Sequence, residues 1–139
     1  MNDVLALGFD DVDLSDAWLE SDESARWRSS AGHGPGVGAA ASGSSLLEVE
    51  PGDRLPRHTD SAEETIVVVS GEAEVWVEGE RGRVSAGGLA LVPADAPHEV
   101  HSVGEEPLRF FAVYAAADVV SRYEEEVQPG GSRERRPVA

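Results

Sequence analysis

Residues 52–71 read GDRLPRHTDSAEETIVVVSG, and this stretch decides how the rest of the chain is read. An imidazole at His58 and carboxylates at Asp60 and Glu64 stand between Gly52 and Gly71. A second stretch, GGLALVPADAPHEVHS at 87–102, brings His98 behind Pro93 and Pro97. Three of the four histidines therefore fall between positions 58 and 101. Imidazole and carboxylate are the side chains that ligate divalent metals, and turn residues frame them at short intervals.

The surrounding pattern is that of strands. Residues 45–52 (SLLEVEPG) form an apolar run that ends in a turn. Residues 65–69 (TIVVV) are β-branched without a break, which predicts a strand buried on both faces. Glu74 to Glu78 alternates as a half-buried strand does. Leu89 to Val92, His98 to Val103 and Leu108 to Ala115 follow, separated by Gly and Pro turns. Strands at this spacing predict an all-β antiparallel sandwich or barrel.

The flanks read differently. Val4 to Phe9 suggests a short strand, and Ser15 and Ser21 could cap short helices carrying Trp18, Leu19 and Trp27. Residues 31–45 are Gly-, Ala- and Ser-rich, fitting either a linker or a segment laid across a barrel. Val119, Val120, Tyr123 and Val127 recur at helical spacing, which predicts a short amphipathic helix over 117–127. Residues 129–139 carry Arg133, Arg135 and Arg136 and read as a disordered, solvated tail. The organisation expected is an N-terminal extension at 1–44, a barrel at 45–118, and a helix with tail at 119–139.

Composition excludes several functions. Acids outnumber bases 27 to 11, and every base is arginine. A formal charge of −16 argues against nucleic acid or an anionic membrane as partner, since both need a cationic surface. No cysteine is present, which removes disulfides, thiolate catalysis and iron–sulfur ligation. The N-terminal residues carry acids and no long apolar run, so a cytoplasmic protein is expected.

The two stretches resemble the two signature motifs of the cupin superfamily, over about residues 45–116. In that pattern the first motif carries His-x-His, Glu and Gly, and the second carries Gly, Pro, Gly, His and Asn. His58, Glu64, Gly71, Gly87, Pro93 and His98 match. Asp60 stands in place of the second histidine, Asp95 of a glycine and Ser102 of the asparagine. The resemblance implies a double-stranded β-helix, or jelly-roll barrel, with short helical segments at its ends. It implies a divalent metal held by His58, Asp60, Glu64 and His98, and a homodimer, whose paired sheets would cover open edges.

Two histidines and one carboxylate make the facial triad of non-haem iron, so Fe(II) is favoured; Mn, Ni, Zn and Cu suit the same donors. Asp60 has three roles open to it: ligand, orienting partner of His58, or base. Candidate catalytic residues are His58 and Asp60. Arg57 is a candidate for a substrate carboxylate, and Trp76, Phe110 and Tyr114 are candidates for a substrate wall or for core.

The function expected is a small metal-dependent enzyme acting on an organic molecule, possible chemistries including a dioxygenase-like one. Quercetin-dioxygenase-like and polyketide-cyclase cupins are similar in size. Two alternatives stand beside it: a metal-free cyclase, dehydratase or isomerase using His and carboxylate acid–base chemistry, and a non-catalytic module that binds a small molecule. His58-x-Asp60, His98 and Arg109 also resemble the iron and 2-oxoglutarate oxygenases, in which the arginine would grip the cosubstrate. His33, among glycines, and His101, an odd number of residues from His98, are read as non-ligands.

Overall fold

The computed structural model describes residues 4–138. Twelve strands form one sheet. They are β1 (Ser15–Leu19), β2 (Asp22–His33), β3 (Gly43–Val49), β4 (Arg54–Asp60), β5 (Glu64–Ser70) and β6 (Glu72–Val77). β7 (Glu80–Ser85), β8 (Leu89–Val92), β9 (His98–Ser102), β10 (Leu108–Tyr114), β11 (Ser121–Gln128) and β12 (Ser132–Arg135) complete the set. The strand order is β7-β6-β9-β4-β11-β1-β2-β3-β10-β5-β8, with β12 on β11 and a short parallel contact between β2 and β4. β7, at one end of this path, lies against β5 and β8 at the other, so the sheet rolls into a barrel. Rolling leaves one inner face, and alternate residues of each strand fill it.

Period 2 is visible in the burial. Ile66 and Val68 of β5, Leu108, Phe110 and Ala112 of β10, and Val100 of β9 are sealed from solvent. Each large side chain buried this completely contributes roughly 1.5–3 kcal/mol. The run at 65–69 is not buried on both faces as its composition suggests. Val67 is half-buried and Val69 is 43% exposed, because among the described residues no second layer covers the outside of β5. β3 is the strand buried throughout.

The flanking segments correct the sequence expectation. Val4 to Phe9 is not a strand, and Phe9–Asp11 is a single 3-10 turn. No helix starts at Ser15 or Ser21; β1 and β2 form a hairpin there. Ala17, Leu19, Ala25 and Trp27 point inward from it. The predicted helix over 117–127 is also absent, and most of it is β11. Helical geometry among the described residues is confined to two 3-10 turns, Phe9–Asp11 and Pro35–Val37. The tail is no loose end either, since β12 pairs with β11. In each case a few apolar residues fit both periods, and sheet partners distant in sequence select the strand. Strands from both flanks thus join the central ones in one sheet, and the Gly/Ala/Ser-rich stretch at 31–45 runs from the end of β2 through the Pro35–Val37 turn into the start of β3.

Two motif positions explain themselves in backbone terms. Gly71 has φ +78, and a Cβ there would lie 2.7 Å from the Pro107 carbonyl oxygen. Asp95, which replaces a motif glycine, keeps a left-handed φ of 63. Aspartate tolerates that region better than most residues. The turn also aims the Asp95 N–H at the Asp60 carbonyl, 2.8 Å away, tying the second motif to the first.

Candidate metal centre

Three strands and one turn bring the site together. β4 pairs with β9 so that His58 and His98 are direct neighbours, and with β11 so that Ser121 faces Asp60 and Tyr123 faces His58. Register therefore sets Asp60, Ser121, His58, Tyr123 and His98 on one face, and the rolling of the sheet makes it the inner one. A register shift between Leu55 and His58 breaks the alternation of β4, so both side chains turn inward. Pro56, which has no N–H to offer the ladder, sits in that irregular stretch. Glu64 does not share a strand with His58 and Asp60. β4 ends at Asp60, the chain turns through residues 61–63, and Glu64 opens β5, which does not neighbour β4 in the sheet.

All four site residues are buried. His58 Nδ1–H donates to the Pro56 carbonyl at 2.7 Å, and His98 Nδ1–H donates to the Ala96 carbonyl at 2.9 Å. A carbonyl only accepts, so both Nδ1 atoms carry the proton and both Nε2 atoms face inward. Nε2 of His98 lies 3.2 Å from Asp60 Oδ2 and 3.2 Å from Glu64 Oε1, and Nε2 of His58 lies 3.6 Å from Asp60 Oδ2. None of these contacts is well aligned. Asp60 Oδ2, Glu64 Oε1 and His98 Nε2 have no hydrogen-bond partner of good geometry. The other oxygen of Asp60 accepts from the Ser121 hydroxyl. Donor atoms of His58, Asp60 and His98 lie within 4.8 Å of one another, and Glu64 abuts this set through His98.

Neutral imidazole lone pairs aimed at carboxylate oxygens repel, so the cluster needs either protons or a cation. Without a metal, protons are distributed unevenly. Burial would raise the Asp60 carboxyl, but contacts with His58 and His98 outweigh it and hold Asp60 far below the usual carboxylate range. Burial and the Asp60 charge push Glu64 up to about 8. Burial would lower His98, yet the contacts with Asp60 and Glu64 and their charges push it up to about 10. Orphaned buried oxygen and nitrogen atoms, with both Nδ1–H groups already committed, fit a divalent cation. A cluster like this costs stability in an apolar barrel, and a resident cation would offset that cost.

The site opens into a cavity of about 310 Å³. His58 and Glu64 line it together with Trp27, Tyr114, Tyr123, Arg135, Arg136 and Pro137. Trp27, Tyr123 and His58 form one stack, with centroids 5.6 and 4.7 Å apart and planes 17° apart at each step. Loss of hydration and the nearby Asp60 charge push the Tyr123 hydroxyl well above its ordinary pKa. Burial and the charges of Glu64 and Asp60 do the same to Tyr114, whose hydroxyl lies 3.2 Å from Ser45 Oγ. Both phenols therefore stay protonated and can present a donor.

Of the residues considered for substrate contact, only Tyr114 lines this cavity. Arg57 points outward from β4 and pairs with Glu124 at 2.9 Å, because it is one residue out of phase with His58. Trp76 lies on the outer face of β6, stacked on His101 at 4.3 Å and capped by Arg81 at 3.9 Å. Phe110 faces inward but is sealed in the apolar core. Arg109 is bound to Glu48 at 2.7 Å and Asp10 at 3.2 Å, away from the cavity, so the 2-oxoglutarate reading loses its arginine. His101 faces outward, and His33 is held by Ser44 and Ser42.

Sequence reasoning missed Tyr123, Ser121 and Arg135. The alternation Ser121-x-Tyr123 with Val127 was the available signal for the first two, and helical spacing masked it. The tail arginines looked solvated because the partner strand of β12 cannot be read locally.

Comparison with known proteins agrees with this architecture. The cupin-domain family model matches residues 45–114. The chain is 34% identical over 74 residues to polyketide synthase CurC of Streptomyces cyaneus, covering 52% of this chain. It spans about half the length of that curated relative, 48%. Among solved structures, the Schizosaccharomyces pombe Cnp3 cupin domain superposes with a TM-score of 0.67 at 16% identity, over 82% of this chain and 75% of that one. Lactobacillus farciminis oxalate decarboxylase gives 0.62 at 24% identity, over 69% of this chain and 30% of that one. These likenesses concern the fold. With both signature motifs on neighbouring strands of one barrel and the family model spanning β3 to β10, the chain belongs to the cupin family.

Proposed function

We propose that this cupin is a metal-dependent enzyme acting on a small organic molecule held in the Trp27–Tyr114–Tyr123 cavity. One observation carries the reading: His58, Asp60 and His98 converge with both Nδ1–H groups committed to carbonyls, and His98 Nε2 and Asp60 Oδ2 are left without a hydrogen-bond partner. His58, His98 and Asp60 would hold the ion, with Glu64 beside them. Two imidazoles and a carboxylate suit Fe(II) first, and such an ion supplies Lewis acidity or open positions for oxygen.

The protein groups do the remaining work. Ser121 fixes the rotamer of Asp60. Trp27 and Tyr123 offer flat surfaces, and 310 Å³ lies at the small end of ligand sites. A compact, conjugated or ring-forming molecule fits such walls. The likeness to a chain named polyketide synthase supports a polyketide-derived substrate, with a cyclisation or an oxygenation as the reaction.

A second reading is favoured by the split between the two carboxyls. Asp60 is held low while Glu64 is raised to about 8, the arrangement of a base paired with an acid. In a metal-free enzyme Glu64 would donate a proton and Asp60 or His98 would exchange one with the substrate.

Metal analysis by mass spectrometry on untagged protein separates the two. Near one ion per chain is expected, and protein that stays metal-free after incubation with Fe, Mn, Ni, Cu and Zn would sink the first reading. The pH dependence is a further check. His98, raised to about 10 without metal, holds its proton throughout the neutral range, so the ion must displace it. Each pH unit below that value then costs about tenfold in apparent affinity. Titration at pH 8 and pH 6 should differ by about 100-fold or more, weaker at the lower pH. Equal affinities would show that His98 is not a ligand.

A homodimer is proposed as the working assembly. Val67, Val69, Leu89, Leu91 and Val113 form an apolar strip on the outer face of β8, β5 and β10, with Leu89 65% exposed. Burying such a strip against a second copy would remove it from water. Light scattering after size exclusion should give twice the chain mass, and Leu89→Glu should halve it. A wild-type monomer at working concentration would refute the assembly.

A further inference from the structure

The cavity has a cationic side that the metal centre does not explain. Arg135 stands opposite Ser121 in the β11–β12 pairing, and Ser121 stands opposite Asp60 in the β11–β4 pairing. Asp60, Ser121 and Arg135 thus form one row across three strands, running from the donor cluster to the cavity wall. Among the described residues, every arginine but Arg26, Arg133 and Arg135 has a carboxylate within 4.0 Å. Arg26 lies over the Trp18 ring and Arg133 is exposed. Arg135 alone is both half-buried and a cavity-lining residue, and its one hydrogen bond is to the Pro129 carbonyl at 3.3 Å. Its neighbour Arg136 also lines the cavity but is held by Asp118 at 2.8 Å.

In a chain of net charge −16, where most arginines hold carboxylates, a guanidinium that meets no described carboxylate and faces this cavity is a marked exception. A guanidinium is a planar fork whose geometry matches a carboxylate. We propose that Arg135 binds a carboxylate of the substrate, so that the molecule entering this cavity is an organic acid whose uncharged portion reaches toward His58 and Asp60. The inference rests on the cavity being the substrate site, as proposed above, and it deepens that reading by naming the substrate class. Tyr123 and Trp27 line the same cavity as Arg135. A ring carried by the acid would then rest on Tyr123 and Trp27.

The test compares 2-naphthoate with its neutral analogue 2-naphthamide, titrated by fluorescence or calorimetry into the protein as purified and again after dialysis against a chelator. The acid should bind about tenfold tighter than the amide in both preparations, the usual yield of one charge-assisted pair. Arg135→Gln should bring the two within about twofold, Arg135→Lys should keep part of the preference, and Arg136→Gln should keep all of it. Wild-type protein that binds neither probe, or binds both equally, would overturn the proposal. So would a preference that survives Arg135→Gln. A preference that disappears only on chelation would assign the carboxylate to the metal and overturn it too. Metal content measured on the same samples keeps the two readings apart. Arg135→Gln should retain wild-type metal, and an Arg135-dependent preference in metal-free wild-type protein would leave this inference standing while the metal reading fell.

Discussion

His98→Ala is expected to take bound metal from near one ion per chain to below about a tenth of that after chelator-free purification. His98 supplies one of two inward Nε2 atoms, held in place by the bond from its Nδ1–H to the Ala96 carbonyl. Loss of one ligand from a three-residue set should weaken binding well beyond the 10–100-fold typical of an outer partner. His58→Ala should behave alike. Asp60→Asn tests Asp60 as a ligand: a loss as deep as that of the histidine variants makes Asp60 a ligand, and a loss within 100-fold makes it an orienting group. Removing His98 also leaves Asp60 and Glu64 without the group that separates their charges. Circular dichroism melts should accompany the metal analysis. Full metal in a folded His98→Ala protein would dismiss the centre described here.

Phe110→Ala should lower stability by about 3–5 kcal/mol, the cost of emptying a fully buried aromatic site. Phe110 is wholly buried on β10, and Val68 of β5 and Leu47 of β3 are its cross-strand neighbours. Close packing there leaves little room for collapse, so the upper half of that range is favoured. Thermal unfolding should move down by roughly 10 °C or more for a chain of this size. Trp76→Ala should cost far less, because its ring lies on the outer face between His101 and Arg81 and no cavity opens when it is removed. A loss of less than about 1 kcal/mol at Phe110 would refute the packing described. Neither variant should change metal content, which separates core from site.

The contrast between these two aromatics shows where local reading stops. Both lie on strands that the sequence pattern identified, and both looked equally able to wall a substrate space. Which face of a strand is the inside depends on what the sheet wraps around. For Trp76 the answer came from β6 pairing with β9, and for Phe110 from β10 lying between β3 and β5. Tyr123 makes the same point more sharply. Its spacing with Val119 and Val127 suits a helix, but pairing with His58 on β4 makes β11 a strand and puts the phenol in the stack. Arg135 is a polar tail residue until β12 finds β11.

The motif residues themselves are local objects, which is why they could be read in one dimension. Gly71 needs a positive φ and an open flank, Pro93 and Pro97 stiffen a turn, and His58, Asp60, Glu64 and His98 carry donor atoms whatever their surroundings. Intervals between such residues, with β-branched runs between turns, were enough to name an all-β barrel and to single out His58, Asp60 and His98, which the fold brings together as a group that could hold a metal. They could not reveal that Glu64 comes from a separate strand, that both Nδ1 atoms are committed to carbonyls, or that Asp60 and Glu64 sit on opposite sides of the ordinary carboxylate range. Those properties arise from burial and from charges brought within 3–4 Å by strands far apart in the chain. Donor chemistry is a property of each residue, whereas register, enclosure and mutual field exist only once the sheet has closed.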